Sequence, residues 1–84
     1  MSKYGPLGHY LSRQSAGSVV LSFSEIEGII EASLPASAYK YSAWWANETN
    51  PHARHVHCRA WITAGFHAQP HLNRQQATFT KIAE

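Results

Sequence analysis

The stretch AWITAGFHAQPHLNRQQATFTKIA, residues 60–83, predicts a helix that ends and passes directly into a β-hairpin. Gly65 is a typical residue just after a helix C-terminus, because glycine adopts positive φ angles without strain. The segments FHAQPHL (66–72) and QATFTKIA (76–83) are predicted strands, and NRQ (73–75) is the turn that joins them. This end of the chain therefore predicts a helix followed by two antiparallel strands.

Upstream of the hairpin, two further segments have helical patterns. HARHVHCRAWITAGF (52–66) places apolar residues at helical spacing, and Pro70 makes the strand that follows it an edge strand or a bulged one. In SLPASAYKYSAWWAN (33–47), Ser37 is a candidate N-cap for a helix that runs to about Ala46. Its inner side would carry Tyr41, Trp44 and Trp45, of which only one tryptophan is expected to be fully buried, since neighbours on a helix point about 100° apart.

The N-terminal part predicts a helix, a strand and a second helix. Residues 4–14 have leucines and a tyrosine at helical spacing, and SVVLSF (18–23) has the composition of a short strand. In SFSEIEGII (22–30), Ser24 and Glu27 have the spacing of a capping box, in which each side chain bonds a backbone N–H of the other.

The predicted order is helix, strand, helix, one or two helices and a C-terminal β-hairpin. That order indicates an α+β fold of winged-helix-like type, in which the first strand joins the hairpin to form a three-stranded sheet. With 84 residues, the chain is expected to form one small domain spanning residues 1–84. A small α+β domain of another topology is the alternative, because the segment 36–46 fits a winged helix poorly.

Charge is sparse and unevenly distributed. Only 14% of residues are charged and the formal net charge is +2, a mild basic bias. From Lys40 to Lys81, both included, there are five Lys and Arg residues, and Glu48 is the only acid. The single cysteine, Cys58, excludes an internal disulfide and suits a cytoplasmic protein, and no apolar run is long enough to span a membrane.

The basic and polar residues of the second half form the candidate nucleic-acid-binding set. In a helix presented to the major groove, arginine reads guanine edges and asparagine reads adenine edges. A single arginine at the tip of a hairpin can enter a minor groove. The predicted contact residues are Lys40, Asn47, Asn50, His52, Arg54, His55, Arg59, Arg74 and Gln75. A solvated polar helix face would explain the same pattern.

The histidine and cysteine residues of the second half of the chain do not favour metal binding or catalysis. His52, His55 and Cys58 share roughly one helix face, but their spacing matches no standard zinc site. Cys58 and His57 are neighbours on a predicted helix and point apart, whereas a catalytic pair has to converge. The sequence has no Asp and no Gly-rich phosphate loop. We therefore predict no metal, no cofactor and no enzymatic activity.

Four motifs give the chain a resemblance to a family. YGPLGHYL (4–11), LSFSEIEGII (21–30), LPASAYKYSAWWAN (34–47) and AWITAGF (60–66) resemble the segments of small uncharacterised bacterial and phage-associated domains. The resemblance covers most of the chain and implies a compact, recurring domain of unknown function. The segment 48–58 departs from the family pattern by being richer in histidine.

Two functions follow as expectations. The first is a non-enzymatic, winged-helix DNA-binding domain, such as a small bacterial regulator or a mobile-element accessory protein. The second is a protein-interaction module, such as an inhibitor or an antitoxin-like partner, with Tyr39 and Trp44 or Trp45 as exposed anchors. A homodimer is compatible with either function.

Overall fold

A computed structural model describes residues 3–47 and 56–82 of the chain. In this part the helices and strands follow one another in the order that the sequence predicts. The elements are helix α1 (Gly5–Ser12), strand β1 (Ser18–Ser22), helix α2 (Phe23–Ile30), helix α3 (Ala36–Lys40), helix α4 (Arg59–Thr63), strand β2 (Phe66–His71) and strand β3 (Gln76–Lys81). Three short 3-10 helices, Ser42–Trp45, Val56–Cys58 and Leu72–Arg74, connect them.

The three strands form one antiparallel sheet with β3 in the centre. The register pairs Val20 of β1 and Gln69 of β2 with Thr78. Strand β2 is therefore an edge strand, as Pro70 predicts, and the α+β prediction is confirmed. Within residues 3–47 and 56–82, no helix is long and apolar enough to cross a membrane.

The core lies between the inner face of the sheet and the helices. Its largest fully buried side chains come from α1, α2, α4, β2, β3 and two of the 3-10 helices, namely Trp45, Trp61, Phe23, Phe66, Phe79, Leu7, Leu11, Ile26 and Cys58. Cys58 packs in this core as a small apolar side chain. Burying so much aromatic area offsets the small size of the domain.

Helices α1 and α4 approach each other at a glycine. A Cβ atom added to Gly8 would lie 2.6 Å from the backbone oxygen of Ala60. Glycine has a low helix propensity, so Gly8 argues against a helix when α1 is considered alone. The contact with Ala60 explains why glycine occupies this position.

The capping box of α2 lies two residues earlier than predicted. Ser22, and not Ser24, is the N-cap: its Oγ accepts from the N–H of Glu25 at 3.0 Å, and Glu25 Oε1 accepts from the N–H of Ser22 at 2.8 Å. Glu27 instead accepts from the N–H of Leu34 at 2.7 Å, which fixes the loop after α2.

The predicted helix 37–46 is interrupted. Helix α3 ends at Lys40, and Tyr41 has an extended backbone with φ −126° and ψ 122°. Tyr41 is 62% exposed, so its predicted inward position is wrong. Trp44 and Trp45 are both buried, at 8% and 1% exposure, because they lie in a 3-10 turn and pack against different neighbours.

The helix before the hairpin also differs from the prediction. Residues 52–55 lie outside the described part, a 3-10 turn occupies Val56–Cys58, and α4 covers only Arg59–Thr63. The predicted end is confirmed, since Gly65 follows the C-cap with φ +90°.

Candidate nucleic-acid interface

The turn between β2 and β3 presents three consecutive polar side chains to solvent. Asn73, Arg74 and Gln75 are exposed, whereas Leu72 packs against the core and anchors the turn. Gln75 has a left-handed backbone with φ 52° and ψ 50°, and its N–H donates to the oxygen of Leu72. The turn is therefore an ordered projection with one cation at its tip.

Phe23 connects this turn to Lys40. The backbone N–H of Phe23 donates to the oxygen of Gln75 at 2.7 Å, and its ring packs edge-to-face on Tyr39 at 5.0 Å. Lys40 follows Tyr39 and is exposed. The first residue of α2 thus contacts both the turn, through the Gln75 oxygen, and Tyr39, which precedes the predicted site residue Lys40. We call the exposed side chains of Lys40, Asn73, Arg74 and Gln75 the turn-end surface.

One carboxylate lies next to this surface. Glu25 is exposed in the first turn of α2, and its carboxylate is held at the N-terminus by the Ser22 N–H. This role of Glu25 was not predicted from the sequence, because the N-cap was assigned to Ser24 and its partner to Glu27. The S-x-x-E spacing of Ser22 and Glu25 was the signal that identifies it.

Acidic residues in the described part are confined to α2 and its C-cap. They are Glu25, Glu27 and Glu31, whereas the six described Lys and Arg residues all lie outside α2. The Glu27 carboxylate also has structural partners, because it accepts from the Leu34 N–H and interacts with Tyr39. The pKa of Tyr39 is raised by burial and by its hydrogen bond and charge interaction with Glu27, which keeps the hydroxyl protonated.

Arg59 is separated from this surface. It is exposed at the start of α4 and lines a shallow groove against α1 together with His9 and Ser12. The other predicted contacts from this region, Asn50, His52, Arg54 and His55, lie outside the described residues. Arg59 therefore shares a groove with α1 and is not part of the turn-end surface.

Asn47 has its amide engaged inside the fold. Its Oδ1 accepts from Trp61 Nε1 at 2.9 Å and from the Ala68 N–H at 2.7 Å, and its Nδ2 donates to the Ala68 oxygen at 3.0 Å. The side chain thus bonds the outer edge of β2 as a neighbouring strand would. Reading an adenine edge would require these bonds to break, so we leave Asn47 out of the turn-end surface.

The three tryptophans form the centre of an aromatic cluster. Trp45 stacks between Phe23 and Trp61, with ring centroids 5.0 and 5.7 Å apart, and its Nε1 donates to the Ala38 oxygen at 2.9 Å. The ring of His57 stacks on Trp44 at 3.9 Å, and its Nε2 contacts the Trp44 oxygen. These rings build the core, so Trp44 and Trp45 are not the exposed anchors that the protein-interaction hypothesis requires.

No group of three His, Cys, Asp or Glu side chains in residues 3–47 and 56–82 is arranged to hold a metal ion. Of the candidate metal ligands His52, His55 and Cys58, only Cys58 lies in the described part of the chain, and it is 1% exposed. An open groove of about 880 Å³ lies between α1 and α2, with His9 and Arg13 among its lining residues. Prediction from the sequence did not identify this groove.

A family model described as a domain of unknown function, DUF7662, matches residues 4–83. The match spans both described parts of the chain. No curated protein and no solved structure matches the sequence.

Proposed function

The chain belongs to the DUF7662 family of domains of unknown function, and we propose that it is a non-enzymatic domain that binds DNA through the turn-end surface. The observation that carries the proposal is the exposed turn Asn73–Gln75, which Phe23 bonds through the Gln75 oxygen while its ring packs on Tyr39, the neighbour of the exposed Lys40. The residues combine two cations with two amides, which suit phosphate oxygens and base edges.

The connectivity supports a DNA-binding mode of winged-helix type. A helix, a strand, helices and a hairpin follow one another, and the first strand pairs with the last one in the order β1-β3-β2. In a winged helix the tip of the hairpin is the wing, and an arginine there can enter a minor groove with enhanced negative potential. Under this proposal Arg74, in the turn between β2 and β3, would take that role.

Fluorescence anisotropy with a labelled duplex at low salt tests the proposal. Two phosphate contacts, from Lys40 and Arg74, predict a log–log salt slope of about −2. Arg74→Ala is expected to weaken binding and to reduce the magnitude of the slope by about one. Lys81→Ala is the matched control, because Lys81 is exposed at the far end of β3, about 17 Å along the strand from the turn.

The proposal is overturned if the wild type does not bind the duplex at low salt. It is also overturned if Arg74→Ala and Lys81→Ala weaken binding equally, since that result would mean that only net charge matters. Lys40→Ala then tells whether the second cation of the surface contributes.

Glu25 offers a variant that should gain affinity. Glutamine at this position keeps the acceptor of the capping box and removes the negative charge of the Glu25 carboxylate next to the turn. Glu25→Gln is therefore expected to tighten DNA binding about twofold at low salt, and the gain should disappear at high salt. Glu31→Gln, at the other end of α2, is the control for the change in net charge.

A further inference from the structure

The two edges of the sheet differ in whether their outward-pointing backbone groups have hydrogen-bond partners. At the β2 edge, the N–H and the oxygen of Ala68 are both bonded by the Asn47 amide, and Pro70 has no N–H to offer. Another strand could not pair there without displacing Asn47. The β2 edge is therefore closed to further strands.

The β1 edge is open. The N–H of Lys81 donates to the Gly17 oxygen at 2.8 Å, and the N–H of Phe23 donates to the Gln75 oxygen at 2.7 Å. Because antiparallel ladders alternate, odd-numbered residues of β1 point their backbone groups toward β3, and Ser18, Val20 and Ser22 point theirs outward. The Ser22 N–H is bonded by Glu25, but those of Ser18 and Val20 have no partner within the described residues.

We propose that β1 pairs with β1 of a second copy of this chain, antiparallel and centred on Val20, to give a continuous six-stranded sheet. Each Val20 would donate its N–H to the oxygen of the partner's Val20. Each Ser18 N–H would donate to the oxygen of the partner's Ser22, whose own N–H is already used by Glu25. The register thus satisfies the free donors and leaves Glu25 in place.

The side chains of β1 favour a second copy as the occupant. The strand SVVLS has no charge and no proline, the usual devices that keep a sheet edge from pairing. Val20 is 55% exposed at its midpoint, and the two-fold axis would set it directly against the partner's Val20. Only one pair of strands forms the interface, so we expect weak, concentration-dependent association.

Sedimentation velocity from low micromolar to millimolar concentration measures this association. Wild type is expected to shift from monomer to dimer over that range. Val20→Lys and Val20→Glu should each weaken association about tenfold, because like charges would lie directly opposite each other. Mixing the two variants should restore dimers, since opposite charges would then face each other. Thr80→Lys, on the central strand, adds the same charge away from the edge and should dimerise as wild type.

Amide hydrogen exchange reports the same pairing at single residues. The Val20 N–H should exchange fast in dilute protein and be protected in concentrated protein, whereas the Val19 N–H, which points toward β3, should be protected at both concentrations. A wild type that stays monomeric at millimolar concentration overturns the proposal. So does a dimer that Val20→Lys does not weaken, or a variant mixture that fails to associate. If β1 instead pairs with a strand of a different protein, the Val20 N–H would be protected only after that protein is added. This result would also contradict self-pairing.

Discussion

Asn47 joins three parts of the molecule through one side-chain amide. It follows the tryptophan turn, accepts from Trp61 at the base of α4, and bonds both backbone groups of Ala68 on β2. A backbone group left without a partner in a partly buried site costs about 1–3 kcal/mol. The amide therefore contributes to stability well beyond what its solvent-exposed position indicates.

Asn47→Ala is expected to lower the free energy of unfolding by about 3 kcal/mol, because Trp61 Nε1 and Ala68 lose their partners. Asn47→Asp should also destabilise the fold, because one oxygen still accepts both bonds but the second carboxylate oxygen replaces the donor and faces the Ala68 oxygen. Urea unfolding followed by tryptophan fluorescence measures both variants. Asn73→Ala, an asparagine exposed in the turn, should remain within about 0.5 kcal/mol of wild type.

Two helical glycines should respond in opposite directions to the same substitution. Gly8→Ala places a Cβ 2.6 Å from the Ala60 oxygen, so α1 must move from α4, and we expect a loss of about 1–3 kcal/mol. Gly28→Ala, in the exposed middle of α2, adds a Cβ that has no atom within 4 Å. It should raise the free energy of unfolding by about 1 kcal/mol, because alanine has the higher helix propensity. Equal thermal shifts in the two variants would contradict the close approach of α1 and α4.

At the scale of elements, the start of α2 is set by competing capping signals. Ser22 with Glu25 and Ser24 with Glu27 both have the S-x-x-E spacing, so the pattern alone does not decide between them. The fold selects Ser22 because β1 ends there and Phe23 must enter the core as the first helical residue. Glu27 is then free to bond Leu34 and Tyr39 instead.

Ser22→Ala is therefore expected to cost about 1 kcal/mol, the usual value of an N-cap, because the Glu25 N–H loses its acceptor. Ser24→Ala should change stability by less than about 0.5 kcal/mol, since Ser24 is exposed and lies inside the helix. Chemical denaturation of the two variants under identical conditions distinguishes the two capping registers. The reverse order of costs would place the cap at Ser24.

The elements that depend on local signals were predictable from the sequence. Gly65 predicted the end of α4, Pro70 predicted the edge position of β2, and the hairpin turn lies where NRQ interrupts two strand-like runs. The break at Tyr41 was not predictable, because it serves to place Trp44 and Trp45 against partners that are distant in sequence. The role of Asn47 depends on Ala68, twenty-one residues away, and no local pattern carries that information.

At the scale of the whole molecule, the turn-end surface and the β1 edge are separate. Strand β1 ends at Ser22, next to the turn, and in the proposed dimer it would pair with the second β1 in antiparallel orientation. The two turn-end surfaces of such a dimer would therefore point to opposite ends of the six-stranded sheet. Each protomer would have to bind its own duplex, since one straight duplex cannot meet both ends.

Dimerisation should consequently leave DNA affinity unchanged. Val20→Lys is expected to bind a labelled duplex with the affinity of Thr80→Lys, which carries the same added charge but still dimerises. At concentrations where wild type is dimeric, sedimentation with excess duplex should show two duplexes per dimer, and Val20→Lys should show one per monomer. A loss of affinity in Val20→Lys relative to Thr80→Lys would contradict this independence, because it would mean that strand pairing helps to build the DNA-binding surface.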